Sequence, residues 1–441
     1  MTITAPDQKA RKERFFAANR GIPLLPAAIS IAASWVWAPA LFTSAEQAFV
    51  NGWVGLAWFT VPNVLVLIIF GWFATRMRDR LPDGYTLSGY MRERFSVRVQ
   101  RVYIGQLTGL AIASFAVQIV AGGAVISFIT GWDYWIVACL LGGAALSYSA
   151  TGGLRASVAA DFFHIGMTLL VVVSFAPSVI HSVGMGTVID GMDSSHVDHL
   201  ALALTFGIPT TIGLLSGPFG DQSFWQRSFA IRLGAVRKAF TYGGLIFAIV
   251  PLSMAVLGFA ASGAGLSPDS TNLVNVQAVY DLLPSWTVVP FTIMVIGALV
   301  STMDNNLVSA STLMGHDLTR QGDPIFRGRV AMIAVAILGT AIANIPGITV
   351  TMLFLIYGTF RASTVIPTVA TFTMRKRQPS EHGMFWSVLL ALGFGMPLFL
   401  YGSFVDGADN IKTLGSIVTI GTAAAITFAC ATRNPHWKDN A

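Results

Sequence analysis

Charge is what this 441-residue sequence lacks most: Asp, Glu, Lys and Arg make up only 11% of it, against roughly 25% in a soluble globular protein. A water-facing surface cannot be built from so few charges, which excludes a soluble multi-domain enzyme. Two cysteines exclude a disulfide scaffold. Also missing are a Walker-type phosphate loop, an HExxH helix, a Gly-x-Ser-x-Gly elbow and a Cys/His cluster at metal-ligand spacing, so nothing marks an enzyme. What is plentiful is apolar: 54% of the residues are hydrophobic, too many for a disordered chain. They lie in long continuous runs, not in the alternation of a β-barrel. The chain reads as an all-α polytopic membrane protein.

Spans of about 20 apolar residues are expected at 22–43, 52–75, 102–130, 133–152, 155–180, 200–220, 240–262, 286–314, 329–346, 348–374, 384–403 and 412–431, twelve in all. Gly152 and Gly153 read as a tight turn between the fourth and fifth. The polar, basic start gives no sign of a cleavable signal peptide. Lys9, Arg11, Lys12, Arg14, Arg20, the arginines between 76 and 101, Arg155, the basic residues of 227–238, 320–329 and 375–377, and Arg433 and Lys438 all fall on one side. The other side holds Lys412 at a helix end, with acids such as Asp133, Asp190, Asp193, Asp198, Asp269, Asp281, Asp406 and Asp409. By the positive-inside rule both termini are cytoplasmic, and the net charge of +6 is a topology signal rather than a nucleic-acid patch. The expectation is a cell-membrane protein with tails at 1–20 and 433–441, a ten-helix core at 21–375 and two peripheral helices at 376–432. A short interfacial helix is expected within 81–100, with Leu87, Tyr90, Met91 and Phe95 opposite Arg92, Glu93 and Arg94. Another is expected near 274–283.

Polar or broken places inside the membrane are costly and mark functional sites. Pro39 cannot donate to the carbonyl near Trp35, so the first span should kink or unwind, freeing carbonyls at 33–36 for a cation; a plain proline kink is the alternative. In the sixth span, Gly207-Ile208-Pro209 and Gly217-Pro218-Phe219-Gly220 are possible breaks. Broken first and sixth helices are what a five-plus-five inverted repeat requires. In the eighth span Ala298, Ser301, Thr302, Asn305 and Ser309 share one face. Hard oxygen ligands suit a small hard cation, and helix–helix hydrogen bonding is the alternative. Asp304 can pair with Arg361, the cation deep in the tenth span; otherwise Arg361 can meet a solute carboxylate. Asp161 is an ion way-station or a partner of Arg155. Cys139 and Cys430 read as buried thiols, and His164 as a packed or relaying histidine.

Several of these stretches together resemble the sodium/solute symporter family: ERFFAANRGIPLLPAAISIAAS (13–34) its entry to the first core helix, YSATGGLRASVAADFFH (148–164) its tyrosine, Gly-Gly and aspartate, DQSFWQRSFA (221–230) its Gln-Arg motif and ALVSTMDNNLVSAST (298–312) its Ser-Thr motif. The resemblance implies a LeuT-like five-plus-five inverted repeat with two additional C-terminal helices. It implies a sodium site formed by the carbonyls of Ala33, Val36 and Ala298 and the hydroxyls of Ser301 and Thr302, with Asp161, and by location Asp304, on the ion pathway. The solute would sit between the broken helices, lined by Trp37, Gln118, Leu214, Ser216, Gly217, Tyr357 and Arg361, residues taken from their location. SWVWAPALF and DQSFWQR are most similar to the urea/polyamine permease branch. That makes urea the first guess, in an aromatic pocket without an obvious carboxylate; Arg361 would favour an amino or organic acid. The implied activity is sodium-coupled symport of a small solute, with sodium, solute and lipid as partners and no protein partner evident. Proton coupling through Asp161, Asp304 or His164 is the alternative. A membrane sensor would need an output domain that the tails do not provide.

Overall fold

The structure is a computed structural model, and it describes residues 13–268, 270–318, 323–374, 377–405 and 408–433, with the exception of the side chains at 148, 151–153, 155, 156, 159, 160, 163, 409 and 433. Among the described residues nine helices are long and apolar enough to cross a membrane, and three shorter apolar helices, Leu24–Trp35, Tyr134–Ser147 and His199–Leu215, bring the set to the expected twelve. In a bilayer a chain must satisfy its backbone internally, so apolar runs become helices. Two of the three short ones are the first and sixth spans, where interruptions were expected.

The first span runs as Leu24–Trp35 and resumes at Ala38–Leu41. It continues into Thr43–Arg80, where Gly52, at φ 59° and ψ −149°, separates it from the second span. A Cβ there would also meet the 192 and 193 carbonyls at 2.7 and 2.5 Å, so only glycine fits. The second span ends at Arg80, five residues later than expected.

Tyr134–Val183 carries both the fourth and the fifth spans. Tyr134 bonds Ala343 at one end of the ninth span, Pro324–Ala343, and Ala150 meets Arg329 at its other end. Ser157 then bonds Asn305, and Phe175 stacks on Phe291 toward the start of the eighth span, Val288–Thr312. The eighth and ninth spans are antiparallel neighbours, so the two halves of this stretch run in opposite directions. The Gly152-Gly153 turn expected between them lies outside the described residues.

The third, seventh and tenth spans are Val97–Thr130, Val236–Gly263 and Val350–Thr373. The seventh packs on the first and second, and the eighth on the third and fifth. The eleventh and twelfth, Glu381–Phe404 and Asp409–Ala429, pack on each other and on the tenth. The short helices Leu87–Arg94 and Val274–Leu282 form where expected. Leu87, Tyr90 and Met91 are buried while Glu93 and Arg94 face out, as their spacing implied. A small antiparallel pair, Arg377–Pro379 with Ala431–Arg433, joins the ends of the tenth and twelfth spans on the basic face. Cys139 and Cys430 are exposed, not buried; a thiol is apolar enough to face lipid.

Candidate functional site

The break in the first span has an identifiable cause. Pro39 has no N–H for the Trp35 carbonyl, the Ala38 N–H turns to Gln118 Oε1 at 2.8 Å, and the Ala40 N–H bonds Trp37 O at 2.9 Å. The carbonyls of Ser34, Trp35 and Val36 therefore lose their helical donors. Val36 and Trp37 take extended conformations. The freed Val36 carbonyl meets Thr302 Oγ1 at 3.1 Å, and that hydroxyl also lies 3.2 Å from Ala298 O. Three uncharged oxygens thus converge beside the break. Ala33 O accepts from the Val36 N–H at 3.2 Å. Ser301 turns its hydroxyl to Asp161 Oδ1 at 2.6 Å; a hydroxyl that donates its hydrogen keeps its lone pairs for a further partner.

Asp161 is the hub of a buried network. Its Oδ2 accepts from Ser30 Oγ at 2.7 Å and from Arg227 Nη2 at 2.9 Å. Arg227 also donates to Asn305 Oδ1, Ser30 Oγ and the Ser223 carbonyl. Asn305 in turn donates to Ser34 at 3.3 Å. The network ties the first, fifth and eighth spans to Gln222–Ala230, the helix that follows the sixth-span break.

That second break spans Ser216 to Asp221, with a 3₁₀ turn at Pro218–Gly220 and extended backbone at Asp221. The Gly207-Ile208-Pro209 stretch instead stays helical behind a π-turn, Ala203–Gly207; a widened turn at Gly207 makes room for Pro209. Between the two breaks lies a cavity of about 10 Å³ lined by Ser34, Trp35, Trp37, Ser114, Asp221, Ser223, Thr302, Asn305, Asn306, Tyr357 and Arg361. It holds roughly one water. Arg361 donates to Asp221 Oδ2 at 3.0 Å and to the Tyr357 hydroxyl, and its guanidinium lies 3.8, 5.3 and 5.5 Å from the rings of Tyr357, Trp35 and Trp37. Trp35 Nε1, Trp37 Nε1 and Arg361 Nε are buried donors without a partner among the described residues.

Both faces are closed over this cavity. On the basic face Gln226 donates to Phe16 O, Gln222 bridges Leu87 N and Tyr85 O, and Thr86 and Ser88 donate to Asp317. Burial pushes the Tyr85 phenol well above its usual range, which keeps it a donor to Glu13. On the opposite face Glu46 accepts from Thr351 and Thr271, and Asn275 donates to Leu41 O.

The structure thus brings together Val36, Ala298 and Thr302, with Ser301 one network step away, and lines the cavity with Trp37, Tyr357 and Arg361. Gly217 borders it: a Cβ there would fall 2.4 Å from Trp35 and 3.1 Å from Arg361. Gln118 caps the first span, Ser216 bonds back to Ile212 O, and neither they nor Leu214 line the cavity. Three expectations need correction. Arg361 pairs with Asp221, not with Asp304, whose carboxylate faces Ser149 and Ser157. Arg227 is a second deep cation, and it takes the role beside Asp161 considered for Arg155, whose side chain is outside the described residues. The pocket does hold a carboxylate, Asp221. Asp221 and Arg227 open and close the DQSFWQR motif; their meeting with residues 140 and 66 positions away is not visible in one chain read alone. His164 is half-buried beside Gly297 of the eighth span.

Two interrupted helices facing one another over a buried polar cavity, in a chain of membrane-spanning helices, define a membrane transporter of the inverted-repeat class. The chain belongs to the sodium:solute symporter family, whose family model matches residues 15–390. Among curated proteins it is similar to the urea-proton symporter DUR3 of Oryza sativa subsp. japonica, 23% identical over 97% of this chain and 67% of that protein. It is also similar to the urea active transporter of Saccharomyces cerevisiae, at 23% over 81% and 55%, and to the spermidine transporter DUR31 of Candida albicans, at 26% over 72% and 61%. The chain spans about half to two thirds of the length of these relatives. Among solved structures it is similar to a Na+-coupled sialic acid symporter in a substrate-bound outward-open state, with a TM-score of 0.74, 13% identity and coverage of 97% and 95%. Mhp1, a nucleobase-cation-symport-1 family transporter, gives a TM-score of 0.63 at 14% identity, with 94% of each chain covered. At such identities the likeness shows the fold, which is LeuT-like. The relatives are transporters, not enzymes.

Proposed function

We propose that this chain is a sodium-coupled secondary active symporter that imports a small, neutral, urea-like solute across the cell membrane by alternating access, with both termini cytoplasmic. Residues 21–375 form the transport core and the last two helices lie at its edge. The observation that carries the reading is the convergence of Val36 O, Ala298 O and Thr302 Oγ1 within 3.2 Å at a helix break that borders the cavity. Oxygen donors of this type suit a small hard cation, and sodium there is cargo alongside the solute. Ala33 O and the lone pairs of Ser301 complete the donor set. For the solute, orphaned donors on Trp35, Trp37 and Arg361 call for an acceptor such as a carbonyl. Asp221 and Asn306 line the same cavity and offer carboxylate and amide oxygens to N–H groups. A urea-like molecule supplies both.

Each sodium ion entering at a potential of −100 mV contributes roughly 2.3 kcal/mol from the field alone. Coupling is the difference in solute affinity between the sodium-loaded and empty protein. The test is labelled urea uptake into proteoliposomes under an inward sodium gradient at fixed pH, with the Ser301→Ala/Thr302→Ala variant beside the wild type. Sodium-driven accumulation is expected, with sodium activation weakened about tenfold or more in the variant. Unchanged sodium dependence in a folded variant would remove the site assignment.

One observation favours a second reading, proton coupling. Asp304 is buried, one of its carboxylate oxygens has no partner among the described residues, and its neighbours are hydroxyls. The rice relative is named a urea-proton symporter. Accumulation that follows a proton gradient without sodium, and that is lost in Asp304→Asn, would move coupling to that carboxylate.

A further inference from the structure

We infer that Arg361 is a specificity-determining residue, a charge filter that balances Asp221 so that the side chains lining the solute site carry no net charge, and so selects neutral solutes over cations and anions of the same shape. The inference rests on the central cavity being the solute site. Eleven residues line that cavity, and Asp221 and Arg361 are the two charged ones. They neutralise each other at 3.0 Å. Asp161 and Arg227, bonded to the lining residue Asn305, are also paired, at 2.9 Å. Asp304 completes the buried charges of the eighth span here, and it faces Ser149 and Ser157 rather than the cavity.

The chemistry of the pair defines the selection. Asp221 Oδ2 accepts from both Arg361 and the Tyr357 hydroxyl, while Oδ1 accepts from the Ser223 N–H and hydroxyl. A carboxylate so supplied does not need a cationic solute. Arg361 is equally committed, with Asp221 below its charge and three aromatic rings around it. Admitting a cation would place a second positive charge beside Arg361, and admitting an anion a second negative charge beside Asp221. Each would meet a like charge in a closed site with room for about one water, where water screens little. Remove one partner and the site acquires the charge of the other. The pocket around Asp221 already accommodates a planar group rich in N–H donors, since the Arg361 guanidinium occupies it. Without Arg361 it would take a free guanidinium ion by the same contacts.

Three planar probes of nearly the same shape and different charge make the test: guanidinium, urea and nitrate, each at millimolar concentration, competing with labelled urea for uptake and stabilising purified protein against thermal unfolding. In the wild type urea is expected to win over both ions by about tenfold or more. Arg361→Gln should shift preference toward guanidinium by about tenfold or more, Asp221→Asn toward nitrate, and the double variant should return it to urea. Opposite shifts from the two single variants, cancelling in the double, are not produced by a merely structural role. Equal binding of guanidinium and urea by the wild type would overturn the filter, as would single variants whose preference does not move. The wild-type comparison decides even where a variant fails to fold. Opposite shifts in ligand stabilisation without any urea uptake would keep the filter and reject the transport reading, whereas urea uptake with unmoved preferences would do the reverse.

Discussion

Asp161–Arg227 and Asp221–Arg361 use the same two functional groups at nearly the same separation, 2.9 and 3.0 Å, yet they are built into different surroundings. The first pair is walled in, with side chains 0% and 2% exposed, and its remaining hydrogen bonds go to Ser30, Ser301, Asn305 and a backbone carbonyl. The second borders a cavity, Asp221 retains 12% exposure, and its arginine is held by aromatic faces. A buried pair gains little over a well-packed apolar substitute, and its cost emerges when one half is removed. The first pair is therefore a rigid joint among four elements beside the Val36–Thr302 contact. In the solute site proposed above, the second is the pair open to exchange with an arriving solute.

The largest effect expected follows from that difference. Arg227→Met leaves Asp161 charged and buried without a cation, and should lower stability by about 3–5 kcal/mol, read as loss of folded protein in detergent unfolding. Adding Asp161→Asn should restore more than half of it. If the single and double variants lose the same amount, packing of the arginine stem, not charge, holds the joint. Arg361→Gln should cost less than half as much, about 1–2 kcal/mol, because Asp221 keeps the Tyr357 and Ser223 donors and can draw on water at the cavity. Equal losses at the two arginines would erase the distinction.

The fold was legible because apolar run length and basic-loop placement are local properties of the chain. The first-span break was legible for the same reason: Pro39 removes a donor wherever the rest of the protein stands. The Ser301-Thr302 pair could be placed near the break through its helical stripe and the family resemblance. What could not be read was which arginine meets which carboxylate. Arg227 lies outside the expected spans, in a stretch that counted as basic loop, yet Gln222–Ala230 is buried throughout and folds back under the sixth-span break. Asp221 directly follows the expected sixth span, 200–220; extended backbone at Asp221 turns its side chain both to cap the next helix and to reach the tenth span. The first and sixth spans fall below a length criterion because each is interrupted, which is why interruption was a better signal than hydropathy there.

A third effect sharpens the contrast between rigid and movable parts. The sixth and tenth spans touch backbone to backbone at Gly213 and Gly358, where an added Cβ would fall 2.7 and 2.9 Å from the opposite Cα. Small residues permit such crossings in membranes. Gly358→Ala should cost about 1–3 kcal/mol by overpacking and wedge the tenth span, with Arg361 one turn away, from Asp221. The expected readout is weaker urea competition with little change in sodium activation, since the Val36–Thr302 contact lies on other helices. A matching loss of sodium activation would mean that the two sites are one packed unit.

The smallest effect separates supporting residues from selecting ones. Gln118 accepts the Ala38 N–H and donates to Ser114 O, so it anchors the resumed half of the first span without lining the cavity. Gln118→Ala leaves that buried N–H unsatisfied and should cost about 1–2 kcal/mol. Its action is on backbone geometry and it carries no charge, so the preference for urea over guanidinium should stay at the wild-type value, while Arg361→Gln moves it. The same competition assay run on both variants decides. A shift of charge preference in Gln118→Ala would mean that the geometry of the first-span break, rather than the neutrality of Asp221 and Arg361, sets which solutes enter.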